Sequence, residues 1–173
     1  MKKKPTQKKI FLSSRYNFVR PIRYKDLIRV GQKQDGGYVI GKKLLKNAKY
    51  LLSFGIGDNW SFEKDFIKYN RKVKLQIYDH TIDKSVFYKT ILKYLRRFLT
   101  FRGNFKSIYD TFKIMQNYLK LKNFIDGKDI TYYPKKISNK SNRNEKNIWE
   151  EVNGLNGKIV IKCDIEGDEY IIF

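Results

Sequence analysis

Apolar positions along this chain alternate between two spacings. A short apolar run at 50–54, YLLSF, gives way to Gly55-Ile56-Gly57 and a polar cluster. From Ser61 the apolar residues Phe62, Phe66 and Tyr69 recur at i, i+4 and i+7, which predicts a helix. Asp58, Asn59 and Ser61 stand in front of it as candidate N-caps. VKLQIYD, 73–79, then alternates apolar and polar residues and ends in an acid. Strand, helix and strand within ~30 residues predict a βαβ unit with a parallel pair and a right-handed crossover.

The flanking segments extend this pattern. Residues 1–12 read as a basic flexible tail. RVGQKQDGGYVI places the tight-turn signal Asp35-Gly36-Gly37 between two short segments, predicting a small hairpin. A helical insertion is expected over 83–126, with one apolar stripe at Phe87, Ile91, Tyr94, Leu95 and Phe98. A second stripe runs through Ile108, Phe112, Met115 and Leu119. DITYYP reads as a strand, KKISNKSNRNEKN as a polar loop, and 148–152 as a short helix. KIVIKCDIEGDEYIIF carries a final strand at 159–163 of the kind buried on both faces in a parallel sheet. Four strands separated by helices predict one α/β domain over 13–173, with a mostly parallel, Rossmann-like sheet.

Composition narrows the picture. Apolar residues make up 41% and aromatics 16%, as in globular proteins. The single cysteine, Cys163, excludes an internal disulfide and reads as a small core residue. One Cys and one His exclude a zinc cluster of the usual type. Apolar runs fall well short of the ~20 residues of a membrane span, and IFL near the start is too short for a signal peptide, so a cytoplasmic location is expected. The formal charge of +21 suits a partner bearing phosphates, but it also suits a genome rich in Lys, Asn, Ile and Tyr codons. No nucleic-acid motif accompanies the charge, which disfavours nucleic acid as the partner. Lys89, Lys93, Arg96 and Arg97 lie opposite the first helical stripe. Such a basic amphipathic helix either touches a membrane surface or packs on its own domain.

The glycines raise the chemical question. A glycine loop after the first of two parallel strands places a ligand site at the strands' carboxyl ends. Glycine lets backbone N–H groups approach a ligand closely, and a following helix N-terminus adds donors. Asp79, 22 residues beyond Gly57, can accept both hydroxyls of a ribose. The third glycine of a dinucleotide fingerprint is replaced by Trp60, which argues against a pyrophosphate. A nucleoside cofactor without phosphates, S-adenosylmethionine, fits better. Gly55 and Gly57 also suit a simple tight turn, and Asp79 a solvated strand end.

DGGYVI, SFGIGDNWSFEKDF, IYDHT and IKCDIEGDEY occur in that order. Together they resemble the FkbM-type and related S-adenosylmethionine-dependent methyltransferases, from about residue 29 to 173 apart from the helical stretch 83–126, which carries none of the family's motifs. DIEGDEY is similar to that family's D-x-E-G-x-E block. The resemblance implies that Gly55, Gly57 and Asp58 line the cofactor, Asp79 holds the ribose and His80 lies at the adenine edge. It places Asp164 and Glu166 beside the sulfonium and the acceptor as catalytic residues, with Asp35, Gly36 and Tyr38 on the acceptor side. Carboxylates near a sulfonium also make electrostatic sense, and one of them could serve as a general base. Asp79, Asp164 and Glu166 could hold Mg²⁺, but no spacing demands a metal.

The family's fold usually has seven strands, so the resemblance implies a sheet cut off after its fourth. The last strand is then expected to present an apolar edge that a partner or a second copy covers. Three functions follow: O-methylation of a hydroxyl on a small-molecule or glycan acceptor, an inactive methyltransferase remnant, and a basic nucleic-acid-binding protein.

Overall fold

The computed structural model describes residues 13–14, 24–33, 36–81, 88–89, 91–93, 96, 105–126, 129–165, 167 and 169–172. The basic tail over 1–12 lies outside these residues, as do Asp35, Phe87, Tyr94, Leu95, Arg97, Phe98 and Glu166.

The fold is α/β, built on a four-stranded parallel sheet. In chain order the first elements are β1 (Leu27–Gly31), β2 (Gly37–Gly41), α1 (Lys42–Asn47), β3 (Tyr50–Phe54), α2 (Ser61–Tyr69) and β4 (Lys74–Tyr78). They are followed by α3 (Phe105–Ile125), β5 (Ile130–Tyr133), β6 (Lys136–Ser138), β7 (Glu145–Asn147), α4 (Ile148–Asn153), β8 (Ile159–Cys163) and α5 (Glu169–Ile172). The sheet order is β5-β4-β3-β8. The chain steps outward from β3 to β4 and β5, then returns to the other side of β3 with β8. Registers include Leu51 with Leu75, Ser53 with Ile77, and Ser53 with Lys162. The predicted hairpin forms as antiparallel β1–β2, with Val30 opposite Tyr38.

Strand alternation sorts the core into two layers. Leu51, Leu75, Ile77 and Val160 point to one face, where Val30, Phe62, Phe66, Leu121 and Phe124 cover them. Leu52, Phe54 and Tyr78 point to the other and meet Ile137, Ile148 and Ile172. β3 is buried along both faces, as a central parallel strand should be.

Several expectations are corrected. The strand at 159–163 is expected to be buried on both faces, yet β8 lies at the end of the sheet order and turns Ile161 outward. The polar loop at 135–147 contains the short parallel pair β6–β7, held by Asn142 and Ser141. Asn142 Oδ1 accepts the Asn144 and Glu145 amides, and Ser141 Oγ accepts that of Asn147. The second helical stripe does not face the core. Phe112 and Leu119 are 52% and 49% exposed, and α3 packs instead through Leu121 and Phe124 in its last turns. The side chain of Ile108 lies outside the described set, and Met115 is half-buried. Helix α2 buries Phe62 and Phe66 as expected, but Tyr69 is exposed and Glu63 is buried. Its N-cap position is Trp60, without a side-chain cap. Of the three candidate caps only Asn59 contributes, accepting the Ser61 amide at 3.2 Å. Among the described residues, no helix is long and apolar enough to cross a membrane.

Candidate functional site

Three strand tips meet at one level. The ladder runs one residue past each strand: Gly55 N–H donates to the Tyr78 carbonyl, Asp79 N–H to that of Tyr133, and Asp164 N–H to that of Phe54. Gly55, Asp79 and Asp164 are therefore fixed side by side at the carboxyl edge of β3, β4 and β8. The chain direction around β3 reverses here, since β4 lies on one side and β8 on the other. Loops leaving such a point diverge and open a crevice. The crevice is a cavity of about 360 Å³, within the size range of small-molecule sites.

The cavity gathers most of the residues singled out from the sequence. Gly36, Gly55, Gly57, Asp58, Asp79, His80 and Asp164 all line it. Tyr38 reaches it through its hydroxyl, which donates to Asp164 Oδ2 at 2.9 Å. Its ring stands edge-on to Phe62, with centroids 5.2 Å apart, so the hairpin is anchored to α2 beside the site. Asp35 and Glu166 lie outside the described residues.

Each glycine of the loop has its own reason. Gly55 has φ +69°, and a Cβ there would lie 2.1 Å from the Asp164 carbonyl oxygen. The β3 and β8 loops can touch only because that position lacks a side chain. Gly57 has φ +52° and open space around its would-be Cβ, so only its backbone conformation calls for glycine.

Asp79 is buried, and its carboxylate is fully engaged. Oδ2 accepts the amides of Ile56 and Gly57, both at 2.9 Å. Oδ1 accepts the Thr81 amide at 2.7 Å and the Thr81 hydroxyl at 2.5 Å. All four acceptor positions of a carboxylate are thus used inside the protein. A ribose could bind Asp79 only by exchanging with the Thr81 hydroxyl. The same geometry leaves the Ile56 and Gly57 amides unavailable to a phosphate, because both already face a carboxylate.

The second block is organised by an acid that was not singled out. Glu169 Oε1 accepts the Ile165 amide at 2.9 Å and its Oε2 the Gly167 amide at 2.7 Å. This closes the turn after Asp164 in the manner of a helix-start acid reaching back. Tyr78, which also lines the cavity, stacks on Tyr133 with centroids 4.7 Å apart and donates to Glu151 Oε2 at 2.5 Å. Burial and the adjacent Glu151 push the Tyr78 phenol far above its usual value, so it stays protonated. Burial pushes the Cys163 thiol up to about 11, helped by the carboxylates of Glu169 and Asp164.

Sequence reading missed Asn59, Thr81, Lys135, Lys136 and Ile137, which also line the cavity. It also missed the buried Lys162 and Glu63 beneath the loop. Lys162 carried a signal: it shares its strand parity with Val160, on the buried face. Among the described residues no group of three or more His, Cys, Asp or Glu is placed to hold a metal ion.

Fold and site together define an α/β protein with a cavity at the carboxyl ends of a parallel sheet. Compared with known proteins, the chain matches no family model, no curated protein and no solved structure.

Proposed function

We propose that this chain is an S-adenosylmethionine-dependent methyltransferase acting on a hydroxyl of a small-molecule or glycan acceptor. The order β5-β4-β3-β8 supports a Rossmann-like reading, because it matches the start of the 3-2-1-4 arrangement. One observation carries the proposal: the glycine loop, the acid after β4 and the acid after β8 converge on a single cavity.

The residues present suit this cofactor better than a dinucleotide. The loop amides that would cradle a pyrophosphate are given to Asp79. Asp58 and Asp164 instead offer carboxylates toward the cavity, favourable for a cationic ligand. When bound, S-adenosylmethionine supplies a methyl group activated by a sulfonium. Gly55 and Gly57 give close access, and His80 stands at the rim beside Asp79. In this reading Asp164, which accepts the Tyr38 hydroxyl at 2.9 Å, would take the proton of an acceptor hydroxyl.

Calorimetric titration of S-adenosylmethionine into the wild type and Asp164→Asn tests the reading. The expected result is binding by the wild type and weaker binding by the variant. A folded wild-type chain that takes up no cofactor would refute it. The full engagement of Asp79 favours a second reading, a chain that binds the cofactor weakly and transfers nothing; binding without methyl transfer to any hydroxyl acceptor would support that.

A further inference from the structure

Beneath the glycine loop lies an ion pair that none of the chemistry above uses. Lys162 Nζ is 3.3 Å from Glu63 Oε1, and the two side chains are 3% and 0% exposed. Ser53, the register partner of Lys162, donates to the same Oε1, and Glu63 Oε2 has no hydrogen-bond partner. Such a pair is weak ground for stability. Desolvation offsets the attraction, and an unsatisfied buried oxygen adds a further penalty.

What the pair does hold is a peptide plane. Lys162 Nζ donates to the Gly55 carbonyl at 3.0 Å. At the other end of the same peptide, the Ile56 amide donates to Asp79 Oδ2 at 2.9 Å. In a trans peptide the carbonyl and the N–H point in opposite directions. A buried ammonium and a buried carboxylate therefore grip one peptide from both sides. Rotation of this peptide runs through ψ of Gly55, where the missing Cβ removes one barrier, and through φ of Ile56. Rotation by half a turn would put the Gly55 carbonyl oxygen against the Asp79 carboxylate and leave the ammonium facing an N–H. Both contacts would be repulsive.

We propose that Lys162, backed by Glu63, is a positioning residue that locks the Gly55–Ile56 peptide in one orientation and so presets the cofactor wall of the cavity. The ligand in this proposal rests on the methyltransferase reading; the lock itself does not.

The test uses the full chain with Ser53→Ala, Glu63→Leu and Lys162→Met together, which removes the pair without stranding a charge. Backbone amide exchange is followed by NMR, beside calorimetric titration of S-adenosylmethionine. The variant is expected to be at least as heat-stable as wild type. Exchange at the Ile56 amide should rise about tenfold or more, the scale of one charge-assisted hydrogen bond, with Leu52 in β3 unchanged. Cofactor affinity should fall by a similar factor. Unchanged exchange at Ile56 would overturn the lock. A wild type that takes up no cofactor sinks the methyltransferase reading alone, and the exchange comparison still decides the lock. If the triple variant fails to fold, the near-isosteric pair Glu63→Gln/Lys162→Met gives the same comparison. Failure of both to fold would overturn the proposal, because the pair would then be a stability element.

Discussion

Asp79 Oδ2 accepts the Gly57 amide at 2.9 Å, so the acid at the end of one strand holds the glycine loop at the end of its neighbour. Asp79→Asn keeps the shape but turns an amide group toward at least one of those donors. The expected loss is about 2–4 kcal/mol of stability, from charge-assisted bonds broken in a buried place. Urea unfolding checks this, and a change under about 0.5 kcal/mol would show that the loop needs no carboxylate.

The two loop glycines should respond differently to alanine. At Gly55 a methyl meets the Asp164 carbonyl as well as an unfavourable φ, and the expected loss is about 3 kcal/mol or more. At Gly57 only the φ matters, and about 1 kcal/mol is expected. Equal losses in denaturant titrations would mean that the β8 loop moves aside.

Tyr38→Phe keeps the ring against Phe62 and removes the hydroxyl that donates to Asp164. Stability should change by less than about 1 kcal/mol, since this contact is exposed to solvent. Under the proposed function, methyl transfer should fall several-fold while cofactor affinity holds. Turnover equal to wild type would remove Tyr38 from the site.

Glu151 gives a pH prediction. Burial raises its carboxyl, but hydrogen bonds from Lys146 and Tyr78, with the charges of Lys146 and Lys135, outweigh it and hold the group below the usual value. A folded-state value depressed in this way stabilises the protein above the ordinary carboxylate range and is lost as the pH falls through the folded value. The urea midpoint should therefore drop below about pH 4.5. Glu151→Gln should flatten that drop, and an identical profile for the variant would assign the acid sensitivity to another group.

Cys163 should be a slow thiol. With its value pushed up to about 11, thiolate at pH 8 is about a hundredfold scarcer than for an ordinary cysteine. Alkylation should be correspondingly slow in the native chain and fast in denaturant.

The scaffold was legible because periodicity reports burial. β4 carries a period-2 signal, β3 and β8 short apolar runs, helix α2 a period-3.6 signal and the hairpin an Asp-Gly-Gly turn. The β6–β7 pair carries none, since three-residue strands are too short to show a period and are set by the side chains of Asn142 and Ser141. Phe112 and Leu119 repeat at helical spacing yet stay half exposed, and spacing alone does not supply a neighbour. Gly55, Gly57, Asp79 and Asp164 were found because backbone constraint and charge at strand ends are local properties. Lys162 was not, because the groups that hold it in an apolar run, Glu63 and the Gly55 carbonyl, lie 99 and 107 residues earlier.

The position of β8 beside β3 has a consequence for how the chain leaves the ribosome. β3, β4 and β5 can pair as they emerge, but one edge of β3 stays open until 159–163 is made. Until then Glu63 has no cation to meet, the Gly55 carbonyl has no ammonium, and Tyr38 has no Asp164. The nascent chain thus carries the loop for its site well before it carries the strand that sets it, and one late strand completes the sheet edge, the ion pair and the cavity in a single event.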